Sequence, residues 1–477
     1  MDNSDISNIF SRLPYSFDVN ITAEEVCNNY DGLKGLNVSI AGRVIAIRKA
    51  GKLIFIDVLD STGKIQCYFD FNMLGEEKFQ HVKSFNIGDI LGVSGEIFKT
   101  KPGEISINVR AMELLAKAVL PLPPMWYGIK DIELRYRKRY LDLIMNPDIR
   151  KVFIARSKTI SAIRSFLESK GFMEFETPTI QPLYGGADAE PFKVRVNTLG
   201  EEHYLRISNE LYLKKLIIGG LDKVYEIYKA FRNEDIDSTH SPEFTMVEWY
   251  QAYADYNGMM LLCERLLLAV AAALGKGDTI EYSGTKILLK NPFKRISYIE
   301  SINAKIGQDV LAIPDEKLFS LVERKVSKLD KGKRNRAHAY DKLFSAFVQP
   351  ELIQPTFVID FPRETSPLTR PKRGNPRLVE RFELFIAGLE IANSYSELND
   401  PVIQRSNFED QMKRIKEGDT EAEPLDMDFV EAMEYGMPPT GGLGLGIDRL
   451  VMLMANKQSI KEVILFPMEK REQQSKK

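Results

Sequence analysis

Between Phe231 and Tyr253 the chain reads FRNEDIDSTHSPEFTMVEWYQAY, which packs an arginine, several acids, a histidine and a phenylalanine close together without a glycine-rich phosphate loop. A guanidinium can fork onto a phosphate or carboxylate, a ring can stack on a planar base, and carboxylates can hold cations. On a strand, alternate residues share a face, so Phe244, Met246, Glu248 and Tyr250 fall together. Arg232 and Glu234 share a face at the end of the preceding strand. The combination suits an anionic ligand that also carries a planar base.

Farther on, RFELFIAGLEIANSYSEL sets Asn393, Tyr395 and Glu397 on one parity, with Glu383 and Glu390 on either side of a turn expected at Ala387 and Gly388. Paired carboxylates suit Mg²⁺, which takes one or two of them plus substrate phosphates. Parity breaks between Glu390 and Asn393, so a bulge must lie between them if both face one site. GGLGLGIDRL precedes a helix, but no parallel strand-helix-strand unit surrounds it, so it is not a dinucleotide loop. Its glycines would let backbone approach a ligand, with Arg449 starting a helix over it. Taken singly, acids on strands are usually a solvated face and a lone arginine a surface ion pair.

The elements that must position these residues follow from the rest of the chain. Its 477 residues, 44% hydrophobic and 28% charged, are enough for two or three domains with their own cores. The longest apolar run, Leu266 to Leu274, is far short of the roughly 18 residues of a membrane span and reads as a buried helix. MDNSDISNIF has no basic region followed by an apolar one, so a cytosolic protein is expected. Cys27, Cys67 and Cys263 are too widely separated for a zinc knuckle or a disulfide framework. With a net charge of −2, any nucleic-acid contact must rely on local basic surface.

From Leu36 to about Leu115, five short strands punctuated by Gly51, STG and KPGE suggest a small closed barrel of the oligonucleotide-binding type, ended by LPLPP. Helices are expected from Lys151 to Ser169, around NELYLKKLII, from Met259 to Leu274, and at GLGIDRLVMLMAN; Ser297 to Pro350, with the basic loop KLDKGKRNR, reads as mainly helical. Strands and helices intersperse without regular alternation, which argues for an antiparallel sheet flanked by helices.

Three segments together resemble the class II aminoacyl-tRNA synthetases. KGFMEFETPTIQP resembles the family's first motif, with Pro178 at its dimer interface; FRNED and HSPEFTMVEWY resemble the second, and GGLGLGIDRL the third. The likeness covers nearly the whole chain, and a barrel followed by this catalytic half resembles the lysine, aspartate and asparagine subgroup. It implies an α+β fold: an anticodon-binding OB-fold barrel in residues 1–125, and a catalytic domain in 126–477 with a mainly helical insertion at about 297–350. It also implies a cytoplasmic homodimer that uses ATP, Mg²⁺, lysine and tRNA(Lys), with no zinc and no membrane.

By the same resemblance, Arg232 would bind the α-phosphate and the amino acid's carboxylate, and Glu234 the adenine amino group. Phe244 and Arg449 would stack on the two sides of adenine, His240 would reach the outer phosphates, and Glu383 and Glu390 would carry Mg²⁺. Adenylate formation develops charge on phosphorus, so it needs positioning and electrostatics rather than a covalent nucleophile. The lysine enzymes resemble one another at Glu210, where aspartate enzymes carry Gln. With Glu248 and Glu397, three carboxylates would face the substrate, and an anionic side chain would meet like charge costing several kcal/mol by rough estimate. The lysine-family residues fall on Gly186, Glu210, Arg232, Glu248, Tyr250, Asn393, Tyr395 and Glu397. Of these, Glu248, Tyr250 and Glu397 would face the ε-ammonium and Glu210 the α-amino group. Asn209 stands where Pro is frequent and Ser394 where Gly or Ala is common, and neither changes a charge.

In the barrel, Arg43, Phe55 and Gln66 match the family's anticodon readers, although Phe55 by itself reads as a core strand residue. The implied reaction is ATP-dependent activation of L-lysine to lysyl-adenylate and transfer to the 3′ end of tRNA(Lys), releasing AMP and diphosphate. A catalytically dead relative would lack phosphate or metal residues, yet Arg232, Glu383, Glu390 and Arg449 are all present. A relative that lysylates a protein lacks the barrel, which this chain keeps.

Overall fold

The computed structural model describes residues 7, 9–123, 129–329 and 334–470. Pro124 of LPLPP, the expected boundary at 125/126 and residues 330–333 of the basic loop lie outside them. The chain divides into two compact units, Met1–Arg135 with Tyr140–Met145, and Tyr136–Arg139 with Asn146–Lys477.

The first unit holds the five expected strands: β1 (Asn37–Ala50), β2 (Leu53–Leu59), β3 (Lys64–Asp70), β4 (Ile90–Lys99) and β5 (Ile105–Ala116). They close into a barrel in the order β1-β2-β3-β5-β4. Alternation does the sorting: Ile54, Ile56 and Val58 of β2 point into the core with Ile65, Cys67 and Phe69 of β3, while Phe55 and Tyr68 between them are only partly buried. Helix α1 (Phe71–Lys83), capped by the Asp70 side chain, was not expected; Gly75 interrupts its periodicity.

The second unit is built on a sheet of β6 (Met173–Glu174), β7 (Lys223–Phe231), β8 (Glu243–Ala252), β9 (Lys294–Ser297), β10 (Thr356–Pro362), β11 (Asn375–Ile386), β12 (Leu389–Ser396) and β13 (Thr440–Gly446). The order is β9-β10-β11-β12-β13-β8-β7-β6. Its central pairs are antiparallel, as expected, but β9–β10 and β7–β6 at its edges are parallel. The sheet is therefore mixed. The glycine run, expected to let backbone approach a ligand and, from Gly444, to begin the last helix, is instead the central strand β13, laddered to β8 on one side and β12 on the other, and the helix begins only at Ile447. Ladder bonds from both neighbours override the low strand preference of glycine.

Helices α2 (Pro147–Ser169), α4 (Tyr256–Ala273) and α10 (Ile447–Ala455) supply Ile163, Leu167, Cys263, Leu266, Leu450 and Val451 to a core with Val247, Trp249, Leu384, Leu443 and Leu445 of the sheet. Helix α4 is long and apolar enough to cross a membrane, but Met259, Met260, Leu266, Leu267 and Val270 are spent on this core. The expected helical insertion is α5 (Tyr298–Ile306), α6 (Asp315–Lys325) and α7 (Arg336–Phe347), which bury Tyr298, Leu318, Leu343 and Phe344 against Val358, Phe361 and Phe385. Helix α3 (Glu210–Ile218) meets α8 (Pro401–Lys416) and α9 (Met427–Glu434) through Leu211, Phe408, Phe429 and Val430. Those last two helices were not expected.

Candidate active site

Parity divides β8 between two jobs. Val247 and Trp249 enter the core, and Phe244, Met246, Glu248 and Tyr250 line a cavity of about 380 Å³ on the opposite face. Arg232, Glu234, His240, Glu383, Glu390, Asn393, Tyr395, Glu397, Arg449, Gly186 and Glu210 line the same cavity. All the residues expected at the catalytic site are thus brought together. The required bulge exists: Leu384 pairs with Ala392 but Phe385 with Glu390, so Ile391 is the extra residue. Ala387 and Gly388 form the expected turn at φ 53° and 76°.

At one end, the Arg232 guanidinium lies 5.2 Å from the centre of the Phe244 ring. Its Nε is buried and finds no hydrogen-bond partner among the described residues, an unpaired donor on a residue that lines the cavity. Arg449 donates through Nη1 to the Glu390 carbonyl (3.0 Å) and through Nη2 to His240 Nε2 (3.1 Å). With Nε2 accepting, the ring's Nδ1–H donates to Asp237 Oδ2 at 2.8 Å. Burial raises the pKa of Asp237, but the Thr239 N–H and the His240 ring outweigh it and hold it at about 2. Asp448 pins α10 to β8 by accepting from the Thr245 N–H (2.6 Å) and pairing with Arg156.

Glu383 pairs with Arg381, a residue the sequence reading missed although RFE sets the two on one strand face. Arg381 also donates to Asn393 Oδ1 at 3.2 Å. Burial, opposed by Arg381 and reinforced by Glu390, pushes the Glu383 carboxyl up to about 7. Two hard oxygen donors that crowd each other's charge fit a divalent cation.

At the other end, Glu248 is buried and accepts from Tyr228 Oη, Ser208 Oγ (3.1 Å) and Tyr250 Oη (3.0 Å). Burial, with the nearby Glu210 charge, raises its pKa to about 7 against those hydroxyl donors. Glu210 and Glu397 do not stand alone. The fully buried Lys214 ammonium pairs with both, and although burial disfavours its charge, the two acids hold its proton on. The i,i+4 spacing of Glu210 and Lys214 was the available signal, but such a pair ordinarily reads as a surface ion pair. Gly442 lets Glu397 come close: a Cβ there would overlap Glu397 Oε1 and the Tyr250 ring. Gly186, at φ 84°, would carry a Cβ only 2.9 Å from that of Glu210.

The chain resembles known proteins over most of its length. Residues 131–470 match the family model for class II tRNA synthetases (D, K and N). The chain belongs to that family. Residues 38–115 match the OB-fold nucleic acid binding domain. The synthetase is 47% identical over 456 residues to the lysine–tRNA ligase of Clostridium novyi, covering 95% of this chain and 89% of that protein. It is 48% identical over 461 residues to that of Pelotomaculum thermopropionicum (96% and 91%), and 48% over 475 residues to lysine–tRNA ligase 2 of Methanosarcina acetivorans (98% and 93%).

On the synthetase's barrel, Phe55 is half-buried and lies outside the core cluster. Its ring is 5.4 Å from Tyr68, which is 5.4 Å from Phe98, an aromatic row on the outer face that the sequence reading missed. Arg48 lies across from Phe55 on β1, and both Arg48 and Lys64 pair with Asp57. Arg43 donates to the Gly88 carbonyl at 2.8 Å. Gln66 is buried and its Oε1 accepts from Ser106 Oγ at 2.8 Å.

Proposed function

We propose that the chain is a lysine–tRNA ligase. An oxygen of the lysine carboxylate attacks the α-phosphorus of ATP and diphosphate leaves; a ribose hydroxyl at the 3′ end of tRNA(Lys) then attacks the adenylate carbonyl and AMP leaves. The observation that carries the lysine assignment is the buried end of the cavity, where Glu248, Glu210 and Glu397 lie together and, among the described residues, one internal ammonium, Lys214, pairs with the last two. A cationic side chain completes that charge balance, and an anionic one would add to the excess.

In this reading Arg232 spans the substrate carboxylate and the α-phosphate, its unpaired buried Nε supporting an anionic ligand. Phe244 and Arg449 sandwich adenine, Glu234 takes its amino group, and His240, tied to Asp237, meets the outer phosphates. Glu383 and Glu390 hold Mg²⁺, which when bound neutralises phosphate charge. Asn393 and Tyr395 border the substrate between the two ends, and Gly186 leaves room for its α-amino group. The Phe55, Tyr68 and Phe98 row, with Arg43 and Gln66, reads anticodon bases by stacking and hydrogen bonding. The reaction takes place in the cytoplasm.

The enzyme is a homodimer in this reading. Met173, Ile180 and Leu183 are exposed around Pro178, beside the edge strand β6. An apolar patch next to an open sheet edge suits self-complementary pairing. ATP–diphosphate exchange across a panel of amino acids tests the assignment: exchange is expected with lysine, and exchange with aspartate but not lysine overturns it.

A further inference from the structure

One buried acid at the amino-acid end of the cavity has no role so far. Glu423 lies in the loop between α8 and α9, only 2% exposed, and lines the cavity beside Gly186 and Glu210. Its Oε2 has no hydrogen-bond partner among the described residues. The loop is not there by accident of a flexible surface: Phe408 of α8 and Phe429, Val430 and Met433 of α9 pack with Leu211 of α3, one residue beyond Glu210. The Ala422 carbonyl accepts from Tyr184 Oη at 3.4 Å, tying the loop to the Gly186 segment.

The cations that act on Glu423 and on its neighbour Asp188 are already engaged. Lys214 is shared by Glu210 and Glu397, Arg414 is paired with Asp419, and Arg381 is paired with Glu383. Among the described residues, Glu210, Glu248, Glu397 and Glu423 at this end of the cavity are therefore four buried carboxyls against one ammonium, with Asp188 on the lining as well. Burial, and the charges of Asp188 and Glu210, push Glu423 up to about 8, while the Gly186 backbone N–H favours its ionised form. A buried carboxyl with an unpartnered oxygen, on a residue that lines a cavity, is satisfied by a ligand that donates to it. Lysine brings two ammonium groups, and only one is taken by Glu248 and Glu397.

We propose that Glu423 is a further substrate-binding carboxylate, which closes the amino-acid end of the cavity and shares the substrate's α-ammonium with Glu210. This rests on the reading of the cavity as a lysine site. It makes recognition of the α-amino group a two-carboxylate device built from α3 and the α8–α9 loop, so that substrate seating also fastens that loop.

The full-length enzyme is assayed by lysine-dependent ATP–diphosphate exchange. If the wild type shows no exchange with lysine, the functional reading falls, and this inference with it. Where it does, Glu423→Gln is expected to raise KM for lysine by at least about tenfold, the loss of one charge-assisted hydrogen bond, with KM for ATP unchanged. Inhibition by 6-aminohexanoate, which keeps the carboxylate and terminal ammonium but lacks the α-amino group, is expected to be equal in both enzymes. An unchanged lysine KM in Glu423→Gln overturns the proposal while leaving the lysine site standing. Equal weakening of lysine and 6-aminohexanoate also overturns it, because Glu423 would then only support the pocket's shape. Glu423→Asp keeps the charge on a shorter arm and is expected to recover part of the lost affinity for lysine alone; it is read with the same two ligands if the Gln variant does not fold.

Discussion

Replacing Glu248 by Gln keeps the shape of the side chain and removes its charge. The carboxylate accepts from Tyr228, Ser208 and Tyr250, three hydroxyls that can turn to accept from an amide instead. The variant should therefore fold. What it loses is the charge-assisted bond to the ε-ammonium, about 1.5–3 kcal/mol, plus the cost of burying that ammonium beside a neutral group, for a sum of about 3 kcal/mol or more. At about 1.4 kcal/mol per factor of ten, kcat/KM for lysine in ATP–diphosphate exchange should fall about a hundredfold or more. KM for ATP should hardly move, because Phe244 lies four residues away on β8, about 13 Å at the rise of a strand. Lysine activation near the wild-type level, or equal loss of ATP and lysine binding, would refute the placement of Glu248 at the ε-ammonium.

The same pocket predicts a pH dependence. A bound ammonium draws Glu248 down from about 7, so the empty site holds more protons than the filled one and lysine binds with proton release. KM for lysine is then expected to fall as pH rises through about 7, and a flat KM between about pH 6 and 8 would contradict it. Phe55→Ala should weaken tRNA aminoacylation by a stacking loss of about 1–3 kcal/mol and spare adenylate formation; equal loss in both assays would make Phe55 a barrel-core residue. Gly442→Ala should push a methyl into Glu397 and Tyr250, lowering lysine kcat/KM at least about tenfold with a lower Tm, and wild-type kinetics would show that β13 can give way. Light scattering should report a dimer, and a fully active monomer at micromolar concentration would rule out the self-pairing of the β6 edge.

The sequence alone determined what depends on local periodicity and turn chemistry. Alternation along β8 put Phe244, Glu248 and Tyr250 on one face, and the broken parity after Glu390 demanded the bulge found at Ile391. Five short strands with turn residues between them were enough for the barrel. Tertiary structure decided which faces meet, because that depends on burial between segments far apart in the chain. Lys214 is an internal counter-ion and not a surface partner of Glu210 because β12 delivers Glu397 to its other side. Arg381 is held in the cavity by Glu383 and by Asn393 of the neighbouring strand. Glu423 sits in a loop with no periodicity to read, and it faces the substrate end only because α8 and α9 bury Phe408 and Phe429 against Leu211. The glycine run of β13 carried no strand signal of its own; ladders on both sides made it a strand, and the missing side chain at Gly442 leaves the room that Glu397 occupies.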